Sequence, residues 1–417
     1  MKKRILAILA AGVLTASAVG AFAGCTNKDS GLKLTVWGAA DQQDTIKAMV
    51  REFETANPDT KYNITVGVCD EQFTADKVGS FAATAADVYG FASDQLVPLL
   101  EKTALAAVGG TLLDDVVANN SAASVEAATF KGEVYAYPYA ADNTYLMFYN
   151  KSIISDEKTG TLEDIIAACN SAGKKIAWGL DTPWYTAGWF FTFGGEFGVK
   201  YENPDSPYAV TSATCTFNGE TGELASKAME SLKASGALLP GTGTDDSTIK
   251  SEFRNGTIAA AVTGTWNARE IKSILGDNYG VCKLPTVSVD GGEAKQLYAF
   301  SGYKFFGVNR HSENLIEAHK LAAFLTSEAM QKKRFENHNT GPTNKAVAAL
   351  PEVQSDPALM AVSAQSAFTK PQVSVPSGFW EPLKTYAVNV LTDKVKDTNR
   401  NTLLDNMVTN ILGKYAN

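Results

Sequence analysis

The chain is 417 residues long, 45% apolar and 20% charged, with 45 acidic against 37 basic side chains. That length supplies two or three domain-sized units with real cores, and the composition excludes a disordered, collagenous or polytopic membrane protein. A formal net charge of −8, more negative still once Lys2, Lys3 and Arg4 are set aside, repels phosphate backbones, so nucleic acid is not an expected partner.

Those three cations precede an apolar stretch, residues 5–23, interrupted only by small residues, Thr15 and Ser17. This is the pattern of a secretion signal, and its glycines and hydroxyls weaken it as a membrane span. Phe22-Ala23-Gly24-Cys25 closes the stretch and resembles the bacterial lipobox, with Phe22 where Leu is usual. The resemblance implies a signal peptide over 1–24, a diacylglyceryl group on Cys25, and a polar tether over 25–31.

Beyond the tether, a short β-rich run followed by a loop and a helix-period segment recurs, which is α/β grammar. Residues 33–37 read as a strand, and 44–55 as a helix with Ile46, Met49, Val50 and Phe53 on one face, stopping at Asn57-Pro58. A strand is expected over 62–68, a helix over 71–85 and a strand over 87–91, completing a β-α-β-α-β unit. The pattern resumes with a helix over 161–171 and strands over 175–180 and 257–263, so two α/β lobes are expected. Cys69, Cys169, Cys215 and Cys282 are too widely spaced for a metal or redox motif. They are expected as buried free thiols, with disulfides the alternative. His311, His319 and His338 are too few and too clustered for a metal centre or a triad, and the first two are expected on a solvated surface.

Open α/β sheets bind ligands beyond the carboxyl ends of their strands. There this sequence places Asp41, then Phe91 and Asp94, then Asp181 and Trp184, then Trp266. Singly, an Asp is a helix cap and a Trp is core; their coincidence at successive strand ends points to a site. Carboxylates beside large aromatics suit a pyranose, which offers a flat C–H face to a ring and a rim of hydroxyls to polar groups. A phosphate ligand would call for Gly-rich loops and cations, and residues 181–193 contain no cation.

Several stretches then resemble a known family in order: residues 34–41 (LTVWGAAD), 131–139 (KGEVYAYPY) followed by 145–151, and 253–266 (FRNGTIAAAVTGTW), with Tyr279-Gly280, Leu284-Pro285-Thr286 and 324–328 as further landmarks. They are similar to segments of the extracellular solute-binding proteins of sugar ABC importers, of the maltose-binding type, across 32–417. The resemblance implies a type II periplasmic-binding fold of two doubly wound α/β lobes. These are 32–141 with 303–343, and 142–302 with 344–417, joined by crossovers near 140–143, 298–304 and 342–346.

Carried over, it implies that Asp41 and Asp94 bind sugar hydroxyls and that Phe91 stands where maltose binders often present Trp. Asp142 is the hinge-proximal carboxylate, and Trp184, Trp266 and Trp380 are stacking aromatics. Tyr303 lines the cleft or packs the hinge. Gln42 and Gln95 replace basic residues of the maltose type, and Thr182 replaces a carboxylate.

The implied function is capture of oligosaccharides, foremost maltodextrin-type α-glucans, for the permease subunits of an ABC importer. The protein would be a monomer anchored by Cys25 to the outer face of a bacterial membrane, without metal or cofactor and without catalysis. Xylo-, galacto- and manno-oligosaccharides are the alternative ligands. A glycoside hydrolase, which also needs carboxylates in a sugar cleft, and a lipid-anchored lectin are the alternative classes.

Overall fold

A computed structural model describes residues 31–241, 244–372, 375–413 and 415. Residues 1–30, with the signal stretch and Cys25, lie outside the described residues.

Strands β1 Leu32–Gly38, β2 Tyr62–Val68 and β3 Val88–Ala92 lie parallel, in the order β2-β1-β3. A small hairpin, β4 Thr129–Phe130 with β5 Glu133–Val134, precedes β6 Tyr137–Asn143 and β7 Tyr145–Asn150. Next come β8 Lys175–Trp178, the antiparallel pair β9 Phe197–Lys200 and β10 Ser212–Cys215, then β11 Ile258–Gly264 and β12 Tyr279–Cys282. The ribbon β13 Thr286–Val287 with β14 Lys295–Gln296 leads into β15 Ala299–Val308, and β16 Thr369–Pro371 is last.

The first sheet runs β16-β15-β3-β1-β2, with β6 also paired to β15; the second runs β12-β7-β11-β8. In each, one antiparallel strand, β15 or β7, is inserted among strands drawn from the rest of the lobe. Buried apolar side chains segregate accordingly. One cluster gathers residues between Leu34 and Ala140 with others between Phe305 and Met330. A second joins residues from Tyr145 to Phe300 with the last helices, and a third covers the opposite face of the same sheet. Alternation along β7 explains the pair: Tyr145, Met147 and Tyr149 enter the second cluster, Leu146 and Phe148 the third.

The helix Gln43–Ala56 buries Ile46, Met49, Val50 and Phe53 at helical spacing and ends at Asn57, just before Pro58. Phe53 packs against Tyr62 and Phe324, ring centroids 5.0 and 5.5 Å apart. The expected helix over 71–85 is not continuous. It breaks into a 3-10 turn Glu71–Phe73, a short helix Thr74–Val78 and a second 3-10 turn Ala82–Thr84, because Gly79 takes a φ of 60°. The four cysteines are free, all but the half-buried Cys282 being buried. His319, expected on the solvated surface, is half-buried with Nδ1 2.8 Å from the Tyr137 hydroxyl; His311 is exposed.

The chain crosses between the clusters where Asn143 pairs with Gly302 and the Thr144 hydroxyl donates to the Phe300 carbonyl at 2.7 Å. The Gly341 N–H donates to Asp142 Oδ2 at 2.9 Å beside them. Away from these crossings Phe130 touches Tyr201 and Tyr208 from the loop between β9 and β10, at 5.4 and 5.5 Å.

Candidate functional site

Each relevant strand hands over at its carboxyl end to a tight turn that displays a polar or aromatic side chain. After β1 the 3-10 turn Ala40–Gln42 carries Asp41; after β3, Ser93–Gln95 carries Asp94; after β11, Thr265–Asn267 carries Trp266. Trp184 follows β8 at the second position of the helix Pro183–Thr192. Gly264 permits the fold-back of Trp266, since a Cβ there would lie 2.1 Å from the indole.

A charged floor joins the first-lobe residues. Lys304 on β15 places Nζ 3.7 Å from Glu71 Oε2 and 5.4 Å from the centroid of the Trp266 ring. Burial opposes its charge, but Glu71, Asp142 and Asp41 outweigh that and raise the ammonium above its ordinary pKa. Glu71 is buried too; Lys304 and the Tyr139 hydroxyl, which donates to Oε1 at 2.7 Å, hold it below the usual range despite burial. Beneath them the Arg334 guanidinium, fully buried, lies over the rings of Tyr139 and Phe306 at 4.6 and 5.3 Å and donates to Gln42 Oε1. Its Nε and Nη2 have no protein partner. Asp41 is exposed at the edge of this group; the protein around it raises its carboxyl above the usual range although Lys304 pulls the other way.

Asp94 and Asp142 are buried carboxylates. Burial lifts Asp94 to about 6 against the opposing pull of the nearby Gln95 and Gln372 amides. Gln95 Nε2 donates to Asp94 Oδ2 at 3.0 Å, while Oδ1 is buried with no protein partner. Burial also raises Asp142, opposed first by the Gly341 N–H.

The second lobe contributes rings. Trp184 and Trp266 lie 5.8 Å apart with planes inclined 35°, and Trp184 stands edge-on to Tyr145 at 4.8 Å. Both indole N–H groups are fixed: Trp184 donates to Gln372 Oε1 at 2.8 Å and Trp266 to Asp246 Oδ2 at 2.7 Å. Trp380, at the start of the helix Trp380–Leu391, makes its ring contacts instead with Phe300 and Phe379, at 5.8 and 5.0 Å.

Phe91 is corrected by the structure. Its ring is 0% exposed and packs on Phe305 at 5.5 Å within the first core, so it presents no face to the cleft. Tyr303 is half-buried and stacks on Phe305 at 6.4 Å. Asp41, Asp142, Lys304 and Trp266 are brought together, as are Asp94 and Trp184 through Gln372. Glu71, Lys304, Arg334, Asp246 and Gln372 carry no sequence signal of a site, since each is assigned only by what the fold sets beside it. Two hollows elsewhere, of about 280 and 250 Å³ beside Asp164 and Glu54, are lined by no aromatic ring.

Acceptors, donors and indole faces on opposing lobes can hold a neutral, hydroxyl-rich ligand between them. Comparison with known proteins agrees in kind. The family of bacterial extracellular solute-binding proteins matches residues 48–361. A galactooligosaccharide-binding protein of Bacillus subtilis is 26% identical over 405 residues, 94% of this chain and 93% of its own. A maltooligosaccharide ABC transporter solute-binding lipoprotein of Streptococcus pneumoniae is 27% identical over 283 residues, 63% of this chain and 61% of its own. Among solved structures, the maltodextrin binding protein of L. casei without ligand aligns at 26% identity with a TM-score of 0.76, covering 92% of this chain and 99% of that one.

Proposed function

The chain belongs to the bacterial extracellular solute-binding proteins, and on that premise we propose that it captures an oligosaccharide between its lobes and delivers it to the membrane subunits of an ABC importer. The observation that carries this reading is Asp94 Oδ1, a buried acceptor without a protein partner. Such an atom calls for an incoming donor, and a sugar hydroxyl supplies one while Trp184 and Trp266 cover the ring face. Asp41, Asp142 and Trp380 complete our assignment of the ligand-binding set; Phe91 is withdrawn from it.

The moving bodies in this reading are 32–141 with 303–343, and 142–302 with 344–417, supported by the segregation of the buried clusters. Ligand taken up by one lobe favours the state in which the other closes on it, which is a population shift. The bound sugar leaves unchanged, because the family's work is binding. Cys25 carries the lipid that holds this monomer at the outer face of the membrane. Cys25→Ala should then release the protein or leave its signal uncut; unchanged membrane partition and identical cleavage would refute the anchor.

Maltodextrin-type α-glucans are the foremost ligands, given the names of the maltooligosaccharide relatives. Galactooligosaccharides are the second reading, favoured because the relative of that name matches along nearly the whole chain. Calorimetry against malto-, galacto-, xylo- and manno-oligosaccharides decides between them. Binding to none of the four sinks the oligosaccharide reading, and binding to xylo- or manno-oligosaccharides alone sinks both named ligands.

A further inference from the structure

Lys304 occupies the place where both lobes and the strand between them meet. Its stem rises from β15, its ammonium lies 3.7 Å from a carboxylate of one lobe and 5.4 Å from the ring centroid of Trp266 in the other, and 14% of its side chain is open. An ammonium has three donors. At 3.7 Å Glu71 is an ion-pair partner at the outer edge of hydrogen-bond reach, which steadies the charge without using all three donors. Asp41, the exposed carboxylate after β1, feels Lys304 more than any other neighbouring charge.

Neighbouring hydroxyls of a sugar each donate and accept. A carboxylate beside an ammonium therefore matches a vicinal diol: one hydroxyl donates to the anion, the next accepts from the cation, and both bonds are charge-assisted. A phosphate or carboxylate ligand would meet three carboxylates, Asp41, Glu71 and Asp142, against Lys304 and the fully buried Arg334, a balance that does not favour an anion. Resting on the oligosaccharide reading above, we infer that Lys304 and Asp41 together clasp a vicinal diol on the ring that stacks at Trp266, which makes Lys304 a determinant of which sugar the cleft accepts.

The rest of the floor fits this role. Tyr139 fixes Glu71, Arg334 underlies Tyr139, and Gln42, beside Asp41 in the same turn, is tied to Arg334. The turn that carries the carboxylate and the strand that carries the ammonium are thus tied to one connected set of buried groups, and a ring whose adjacent hydroxyls project differently would reach only one of the two charges.

The test is calorimetry on the oligosaccharide that binds best in the four-class panel, and on analogues of it deoxygenated one position at a time. It is run on the parent and on Lys304→Met with Glu71→Gln, which removes both members of the ion pair together rather than stranding one of them. The double variant should bind at least about tenfold more weakly, and the parent's penalty of about tenfold for losing one of two adjacent hydroxyls should shrink to about twofold or less. Equal affinity with an unchanged melting temperature overturns the inference, as does a parent that discriminates against no single deoxygenation. A parent that binds no member of the panel overturns the oligosaccharide reading instead. If the double variant does not fold, Lys304→Arg serves: a longer planar guanidinium misplaces the donors, so an affinity equal to the parent's overturns the inference and a loss of about tenfold supports it.

Discussion

In the site proposed above the first lobe supplies charge, in Asp41, Glu71, Asp94 and Lys304, whereas the second lobe supplies indole rings, in Trp184 and Trp266. The charged wall is held by buried hydrogen bonds and ion pairs, and the aromatic wall by indole N–H bonds to Asp246 and Gln372. Polar groups orient a sugar but exchange against water; ring faces bury area without orienting it. On the reading proposed above, neither wall suffices alone and closure is favoured when one molecule satisfies both.

The strongest way to break that contrast is to strip the aromatic wall. Trp266→Ala should cost upwards of about 2 kcal/mol in affinity, the level of a binding hot spot. Its melting temperature should hold, since Trp266 is not among the residues packed against the buried clusters. Unchanged affinity with a collapsed melting temperature would return the residue to the core.

On the charged wall, Asp41→Asn keeps shape and one acceptor, so about 1–2 kcal/mol is expected, within the range for hydrogen bonds to charged groups. Titration of the two purified variants with the same ligand ranks them, and a larger loss for Asp41→Asn reverses the roles given to the two walls.

A smaller effect separates the walls by pH. Asp94 is raised to about 6 by burial. A hydroxyl that donates to its ionised form lowers that value in the complex, so affinity should fall as pH drops through about 6, by at most about tenfold per unit. The sign for the unliganded protein is opposite. With a folded pKa above the unfolded one, this group's stabilising contribution is fully present below the unfolded value and lost as pH rises through about 6. Binding and melting measured from pH 5 to 8 should move in opposite senses, and Asp94→Asn should flatten both; a parent affinity independent of pH over that window removes Asp94 from the site.

The smallest effect on affinity belongs to Phe91→Leu, a core substitution expected to cost about 1–3 kcal/mol of stability and to leave ligand binding within twofold. A large affinity loss without destabilisation would put that ring back in the cleft.

The placement of Asp41, Asp94 and Trp266 just after strands is legible in the sequence because each sits in the turn that closes a readable strand. Phe91 misleads for a physical reason. All five residues of β3 are buried, so alternation gives no clue to which side chain turns outward and a strand-end aromatic is simply absorbed. The break after residue 78 is written in Gly79, yet glycine is also tolerated within helices, and only its positive φ decides. Glu71, Lys304 and Arg334 are illegible for another reason: each looks like an ordinary surface charge, and they meet only once separate strands and a distant helix are assembled.

Strand β15 has a further consequence. Residues 299–301 pair with β16 and Phe300 sits in the second buried cluster, while residues 304–308 pair with β3 and Phe305 sits in the first. One ribbon is therefore structural in both halves. Melting the first half removes the β3 partner of residues 304–308, and melting the second removes the packing around Phe300, so loss of either half loosens the strand it shares with the other and couples the cooperativity of the two cores. A calorimetric scan should show one transition whose van't Hoff and calorimetric enthalpies agree, where two independently folding halves would give two.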